Sequence, residues 1–346
     1  MHKGGEAMII VMEKGVGQKE IDHVVEIIRK AGLKSHLSIG ESKVIIGVIG
    51  DEKKIDKEIF ESLDYVEAVM PIQKPYRRAS REIHPDNTIV DLGKGVKVGG
   101  NEIVMMAGPC SVESEEQLFT IANALKKMGV RVMRASAYKP RTSPYAFQGL
   151  GSNGLKILDK VRKETGLIVE TEVMDTRNVE EVARHVDMIR IGARNTQNFD
   201  LLKEVGKVNL PVILKNGLST TVEEWLFAAE YIMNEGNGNV ILCERGIRTF
   251  EPLTRNTLNL SIIPELKALT HLPIIVDPCH AAGKRGPIPA LSKAAVAVGA
   301  DGLLIEVHSD PEHAVSDQAQ QLRPEEFQKL YGELKLVAKA VGRTLV

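Results

Sequence analysis

From residue 103 onward, short Val/Ile/Leu-rich runs alternate with helical stretches eight times over. The runs are IVMMAGPC (103–110), VRVMRAS (130–136), LIVETEV (167–173), MIRIG (188–192), PVILKN (211–216), NVILCERG (239–246), PIIVDPCH (273–280) and GLLIEVH (302–308). Between them lie segments such as EEQLFTIANALKKMG (115–129) and TVEEWLFAAEYIMNEG (221–236). Nearly continuous apolar strands are what parallel strands buried on both faces require. Eight strand–helix units in roughly 240 residues predict a closed (β/α)8 barrel over residues 101–346, since such barrels run to about 250. A doubly wound open sheet is the alternative, and eight units in unbroken succession favour closure.

Ahead of the barrel, residues 8–72 read as a small unit of order βαββαβ, the ferredoxin-like pattern. MIIVME is a strand. Ile21, Val24, Val25, Ile28 and Ala31 form one helical stripe ending at Gly32. KSHLSIG and KVIIGVIG are two strands about a turn at Glu41-Ser42, KKIDKEIFESL is a second helix and YVEAVMPI a last strand. Residues 1–7 are expected to be a disordered leader. Residues 73–100, with Pro75, Pro85 and the run GKGVKVGGN, are expected to be a linker with room for one short hairpin.

A formal net charge of −1 excludes the strongly basic face a nucleic-acid binder needs. No apolar run reaches the roughly 18 residues of a membrane helix, and the N-terminus lacks a signal pattern. A cytoplasmic protein without membrane or nucleic-acid partners is expected. Three cysteines, Cys110, Cys243 and Cys279, form no disulfide framework. Cys243 reads as core, and Cys279 should point away from His280 if the strand pleat persists.

Active sites of such barrels sit at the C-terminal ends of the strands. There the sequence places Cys110, Arg134, the run Tyr138-Lys139-Pro140-Arg141-Thr142-Ser143, Glu170, Glu172, Asp175, Arg190, Arg194, Lys215, Asn216, Glu244, Arg245, Arg248, Asp277, His280, Glu306 and His308, with Asp317 in the last loop. Cys110, His280, Glu306 and Asp317 make a mixed sulfur, nitrogen and oxygen set. That set suits a borderline divalent transition metal better than Mg²⁺ or Ca²⁺. The surplus of cations points to an anionic ligand carrying phosphate and carboxylate groups, which Arg grips bidentately. Each signal has a plainer reading. A single Cys is more often a small buried hydrophobe, a lone His finds a backbone partner, and Arg190 and Arg194 could pair with Asp187 or Glu172.

The segments AGPCS (107–111), KPRTSPYAFQG (139–149), ETEVMD (170–175), IGAR (191–194), LKNG (214–217), ERG (244–246), DPCHAAGKR (277–285) and IEVH (305–308) resemble the 3-deoxy-D-arabino-heptulosonate 7-phosphate (DAHP) synthases. That family opens the shikimate pathway to aromatic amino acids. The resemblance covers about residues 75–342. It implies a divalent metal (Mn²⁺, Fe²⁺, Co²⁺ or Zn²⁺) on Cys110, His280, Glu306 and Asp317. It implies phosphoenolpyruvate on Arg134, Lys139, Arg194, Lys215 and Arg245, with Glu172 in the same site, and the phosphate of erythrose 4-phosphate on Arg141, Thr142 and Ser143. Lys139, His280 and Cys110 become the catalytic set. Lys139 or His280 would shuttle protons, and a lysine among arginines is expected to have a lowered pKa. The N-terminal unit resembles the regulatory domain of synthases inhibited by tyrosine or phenylalanine, and a homotetramer is implied. The sister 3-deoxy-manno-octulosonate 8-phosphate synthases are the alternative. They carry Asn near Lys139-Pro140-Arg141, and Cys110 implies a metal-dependent enzyme.

Overall fold

The computed structural model describes residues 8–40, 43–50, 54–71 and 76–346; the leader and the Glu41-Ser42 turn lie outside these. The chain divides into two compact units, one of residues up to 87 with 268–271, the other of 88–267 with 272–346.

In the first unit β1 (Met8–Met12) is followed by α1 (Gln18–Lys30), β2 (Lys34–Ile39), β3 (Val44–Ile49), α2 (Lys57–Glu61) and β4 (Val66–Pro71). The antiparallel sheet has the order β2-β3-β1-β4, which is the ferredoxin-like topology the pattern predicts. Ile21, Val24 and Ile28 of α1 are buried and share a core with Ile10, Met12, Ile46, Val48 and Phe60. Each such side chain contributes about 1.5–3 kcal/mol. Val25 and Ala31 are only partly buried, at the edge of the stripe. Helix α2 is shorter than expected because Asp56 caps it, its side chain accepting from the Glu58 amide.

The second unit opens with a hairpin, β5 (Val90–Gly93) and β6 (Val96–Val98). The barrel strands follow as β7 (Glu102–Gly108), β8 (Val132–Arg134), β9 (Ile168–Val173), β10 (Met188–Ile191), β11 (Val212–Lys215), β12 (Val240–Glu244), β13 (Ile274–Val276) and β14 (Gly302–Glu306). All pair in parallel, and β14 returns to β7 in a five-residue register from Gly302↔Val104 to Glu306↔Gly108, closing the barrel. A short β15 (Thr344–Leu345) adds to the start of β7.

The segment expected as linker does more than connect. Val90, Leu92, Val96 and Val98 are buried together with Val104, Val132, Ile168, Met188, Ile213, Ile241, Cys243, Ile275 and Leu304. Most of these barrel residues lie at or near the start of their strands, so the hairpin closes the N-terminal end. Cys243 is core, as its apolar run requires. The opposite end is left to polar groups.

Candidate active site

The C-terminal rim of the barrel carries a cleft enclosing about 510 Å³ of empty space, its mouth included. Six cations line it: Lys139, Arg141, Arg194, Lys215, Arg245 and Arg255. Glu172, His280 and Asp317 line it with them. Gly192 makes room for Glu172, because a Cβ at residue 192 would lie 2.0 Å from Glu172 Oε1.

Three of the four metal-type donors form one cluster, and His280 stands beside two of them. One donor atom each from Cys110, Glu306 and Asp317 lie within 4.8 Å of one another. Cys110 Sγ is 3.3 Å from Asp317 Oδ2. His280 Nε2 stands 3.7 Å from Glu306 Oε1 and 3.9 Å from Asp317 Oδ2. Tetrahedral ligands at bond lengths of about 2.0–2.3 Å stand about 3.3–3.8 Å apart, and the Cys110–Asp317, His280–Glu306 and His280–Asp317 spacings lie in or just above that range. Asp317 presents its carboxylate from a left-handed backbone conformation, φ 49° and ψ 40°, which Asp tolerates better than most residues.

His280 reaches this cluster differently from the way the sequence reads. The run PIIVDPCH is not one strand. Strand β13 ends at Val276, and Pro278–Ala282 is a single helical turn. Pro278 has no N–H for the sheet ladder, and its fixed φ suits a first helical position. Asp277 caps the turn by accepting from the His280 amide at 3.0 Å. Cys279 therefore faces no pleat partner. It is buried, and its sulfur accepts from the Glu306 amide at 3.2 Å. Asp277 Oδ2 lies 2.7 Å from His280 Nδ1, off-axis for a hydrogen bond, and accepts from Lys215 Nζ at 2.5 Å.

Burial and neighbouring charge set the protonation states. Burial, then the Glu306 carboxylate, push the Cys110 thiol up to about 12, against the pull of Lys139. Burial pulls His280 below its ordinary value despite Asp277, which keeps the imidazole neutral at pH 7. Burial works to raise Asp277, but the Lys215 ammonium and the His280 backbone N–H more than offset it and hold the carboxyl well below its usual range. The expectation of a lowered Lys139 pKa fails. Burial does pull it down, but Cys110, Glu172 and Glu306 together outweigh burial and Arg134, and the ammonium is held above its ordinary value. Lys139 Nζ donates to Cys110 Sγ at 3.0 Å and to the Cys110 carbonyl at 3.2 Å.

With this geometry in view, comparison with known proteins identifies the lineage. Residues 87–341 match the DAHP synthetase I family, and residues 8–74 match the DAHP synthase ferredoxin-like domain. The chain belongs to the DAHP synthetase I family. A phospho-2-dehydro-3-deoxyheptonate aldolase of Thermotoga maritima is 49% identical over 97% of this chain and 99% of its own length. A crystal structure of the Thermotoga maritima DAHP synthase superposes with a TM-score of 0.78 at 47% identity, covering 99% of both chains. A 2-dehydro-3-deoxyphosphooctonate aldolase of Syntrophotalea carbinolica is 33% identical over 70% of this chain and 93% of its own.

For this member of the DAHP synthetase I family, the residues expected on substrate fall into two groups. Lys139, Arg141, Glu172, Arg194, Lys215 and Arg245 line the cleft. Arg134 does not. It is fully buried, donating to Glu306 Oε1 at 2.9 Å and to the Pro109 carbonyl at 2.8 Å. Thr142 sits at the rim, its hydroxyl accepting from Arg194 Nη2 at 3.1 Å, and Ser143 is exposed beside it. Arg190 pairs with Glu170 and stands 3.6 Å from Glu172, while Asp187 pairs with Arg162. Arg255 and Gln320 were not legible as site residues, for they lie in long loops with no strand end to mark them. Ser316 Oγ, 3.1 Å from Cys110 Sγ and accepting from Arg141 at 2.7 Å, escaped for the same reason.

Proposed function

We propose that this chain condenses phosphoenolpyruvate with erythrose 4-phosphate and water to give DAHP and inorganic phosphate, in a metal-dependent reaction. One observation carries the reading: a thiol and two carboxylates cluster, with an imidazole beside both carboxylates, next to a cleft bearing six cations. The Thermotoga relative matches both units, whereas the phosphooctonate relatives match about the barrel's share of the chain. This supports the seven-carbon product over the eight-carbon one.

The donor set fits a divalent transition metal. A buried thiol held near pKa 12 beside two carboxylates is a poor thiolate unless a cation offsets its charge. Cys110, His280, Glu306 and Asp317 would hold Mn²⁺, Fe²⁺, Co²⁺ or Zn²⁺. Asp277 would orient His280 from behind, as carboxylates commonly do for ligating imidazoles. When bound, the ion supplies Lewis-acid polarisation of a carbonyl oxygen.

The chain's own groups do the rest. Arg194 and Arg245 grip the phosphate of phosphoenolpyruvate, and Lys215 and Lys139 its carboxylate, with Arg134 supporting from below through Glu306. Arg141, Thr142 and Ser143 take the phosphate of the aldehyde. Two anions so fixed need no chance encounter. C3 of phosphoenolpyruvate then bonds to the aldehyde carbon, whose oxygen takes a proton. Lys139, held protonated, is the donor rather than a base. Water adds at C2 and gives up a proton, and the C2–O bond breaks to release inorganic phosphate. His280 stays neutral and serves as a ligand, not a shuttle.

The ferredoxin-like unit is read as a regulatory domain that answers to tyrosine or phenylalanine, in a cytoplasmic homotetramer. Among the described residues no helix is long and apolar enough to cross a membrane. The deciding assay follows phosphoenolpyruvate consumption and phosphate release with erythrose 4-phosphate and with arabinose 5-phosphate, with and without chelator. Turnover with the five-carbon sugar alone, or full turnover after exhaustive chelation, would overturn the reading. Cys110→Ala is expected to abolish both metal retention and turnover.

A further inference from the structure

We infer that Gln320, held by Arg255, is a positioning residue that fixes the two carboxylates of the metal centre; the inference rests on the metal-centre reading above. Gln320 is 2% exposed. Its Nε2 donates to Glu306 Oε2 at 2.6 Å and to Asp317 Oδ2 at 3.4 Å. Its Oε1 accepts from Arg255 Nη1 at 3.1 Å.

The two ends of the amide cannot be exchanged. An ionised carboxylate only accepts, and a guanidinium only donates. Carboxylates on one side and arginine on the other leave a single orientation. The amide thus stands between Glu306 and Asp317, two like charges that repel one another, and ties them to one donor without adding charge. Gln320 and Arg134 hold the two oxygens of Glu306 separately, which fixes the plane of the carboxylate. Oε2 accepts from the amide, while Oε1 accepts from Arg134 Nη1 at 2.9 Å and stands 3.7 Å from His280 Nε2. Arg255 lines the cleft and stands 3.6 Å from Asp317 Oδ1, so it braces the amide and the second carboxylate together. A cation in place of Gln320 would compete with a metal for the same oxygens. A carboxylate there would add repulsion. Alanine would leave Glu306 Oε2 buried without its donor.

The test titrates metal-free enzyme with Mn²⁺, following free ion by electron paramagnetic resonance, and with Co²⁺, following thiolate-to-metal charge-transfer absorption. Gln320→Ala is expected to weaken Mn²⁺ binding about 10–100-fold, the usual effect of removing a group that orients a ligand. Once metal is saturating, its KM for phosphoenolpyruvate should stay within about twofold of wild type. Arg255→Ala should weaken metal binding in the same direction but less. Should Gln320→Ala fail to fold, Gln320→Asn, one methylene shorter, gives the same comparison. Wild-type Mn²⁺ affinity in the Gln320 variant, with affinity lost in Cys110→Ala, would overturn the inference and leave the metal centre standing. Wild-type affinity in both variants would overturn the metal centre as well. A raised KM at unchanged metal affinity would place Gln320 on substrate and equally refute its positioning role.

Discussion

Glu170→Ala should lower the melting temperature by about 6–16 °C. Glu170 is fully buried on β9, between Arg134 of β8 and Arg190 of β10. Its Oε1 is 2.5 Å from Arg190 Nη1 and 3.8 Å from Arg134 Nε. Both arginines are 1% exposed, and removing one partner of a buried ion pair costs about 3–5 kcal/mol because a charge is left without compensation. Each arginine keeps other contacts here, Arg134 with Glu306 and Arg190 with Ser136 and, more distantly, Glu172. That places the loss near the low end, about 3–4 kcal/mol. A domain of this size shifts by about 2–4 °C per kcal/mol, which gives the stated range. Calorimetry at pH 7 and one fixed scan rate measures it. Glu170→Gln, keeping the volume and one acceptor, should lose less. The pair Glu170→Leu with Arg190→Met should recover much of the loss, since apolar replacements of buried ion pairs are often neutral or stabilising. A drop of under about 2 °C for Glu170→Ala would refute the reasoning, because the layer under the cleft would then not depend on shared charge.

Three further outcomes are expected. Arg194→Ala should raise the KM for phosphoenolpyruvate much more than that for the aldehyde, and equal increases would contradict its assignment. Removing residues 1–72 should preserve turnover and erase inhibition by tyrosine or phenylalanine; a shortened enzyme still inhibited would place the effector elsewhere. His271 is pulled down to about 4 by burial first, then by His84, Arg81 and His36, against the Arg78 carbonyl that its ring meets at 2.7 Å. Its unfolded value is about 6.5, so the unfolded chain binds a proton that the folded chain refuses. The neutral form fits fully above pH 6.5, and stability falls as the pH drops from there towards 4. Between pH 7.5 and 5 the loss is about 2 kcal/mol. His271→Gln should flatten that part of the profile in chemical unfolding, and an unchanged slope would refute the assignment.

The barrel was legible because eight apolar runs between helical stretches have few other closed solutions, and strand ends then told where polar groups would gather. Cys110, Glu172, Lys215 and Glu306 sit where that reasoning put them. His280 was placed near the right partners by the wrong local structure, since Pro278 turns the chain into a helix one residue after the strand. The protonation of Lys139 was not legible. Its sign depends on Cys110, Glu172 and Glu306, which approach from three other strands, and a one-dimensional neighbourhood shows only Arg141. Gln320 and Arg255 meet across 65 positions, and no periodicity links such loops. The sequence allows a short hairpin within 73–100, but its burial against the barrel was not legible, because Gly93, Gly95 and Gly99 hide the alternation of four apolar side chains among turns.

That hairpin limits how far this protein can be pruned. A cut at residue 100 would keep every barrel strand and every group around the cleft, yet it would uncork the far mouth. Four apolar side chains would vanish from a floor built to meet them, each worth about 1.5–3 kcal/mol. Water would then reach Val104, Val132 and Ile168 from the side opposite the chemistry. A minimal catalyst must therefore start upstream of Val90, although the cations that line the cleft and the donors beside it all lie at or after Cys110.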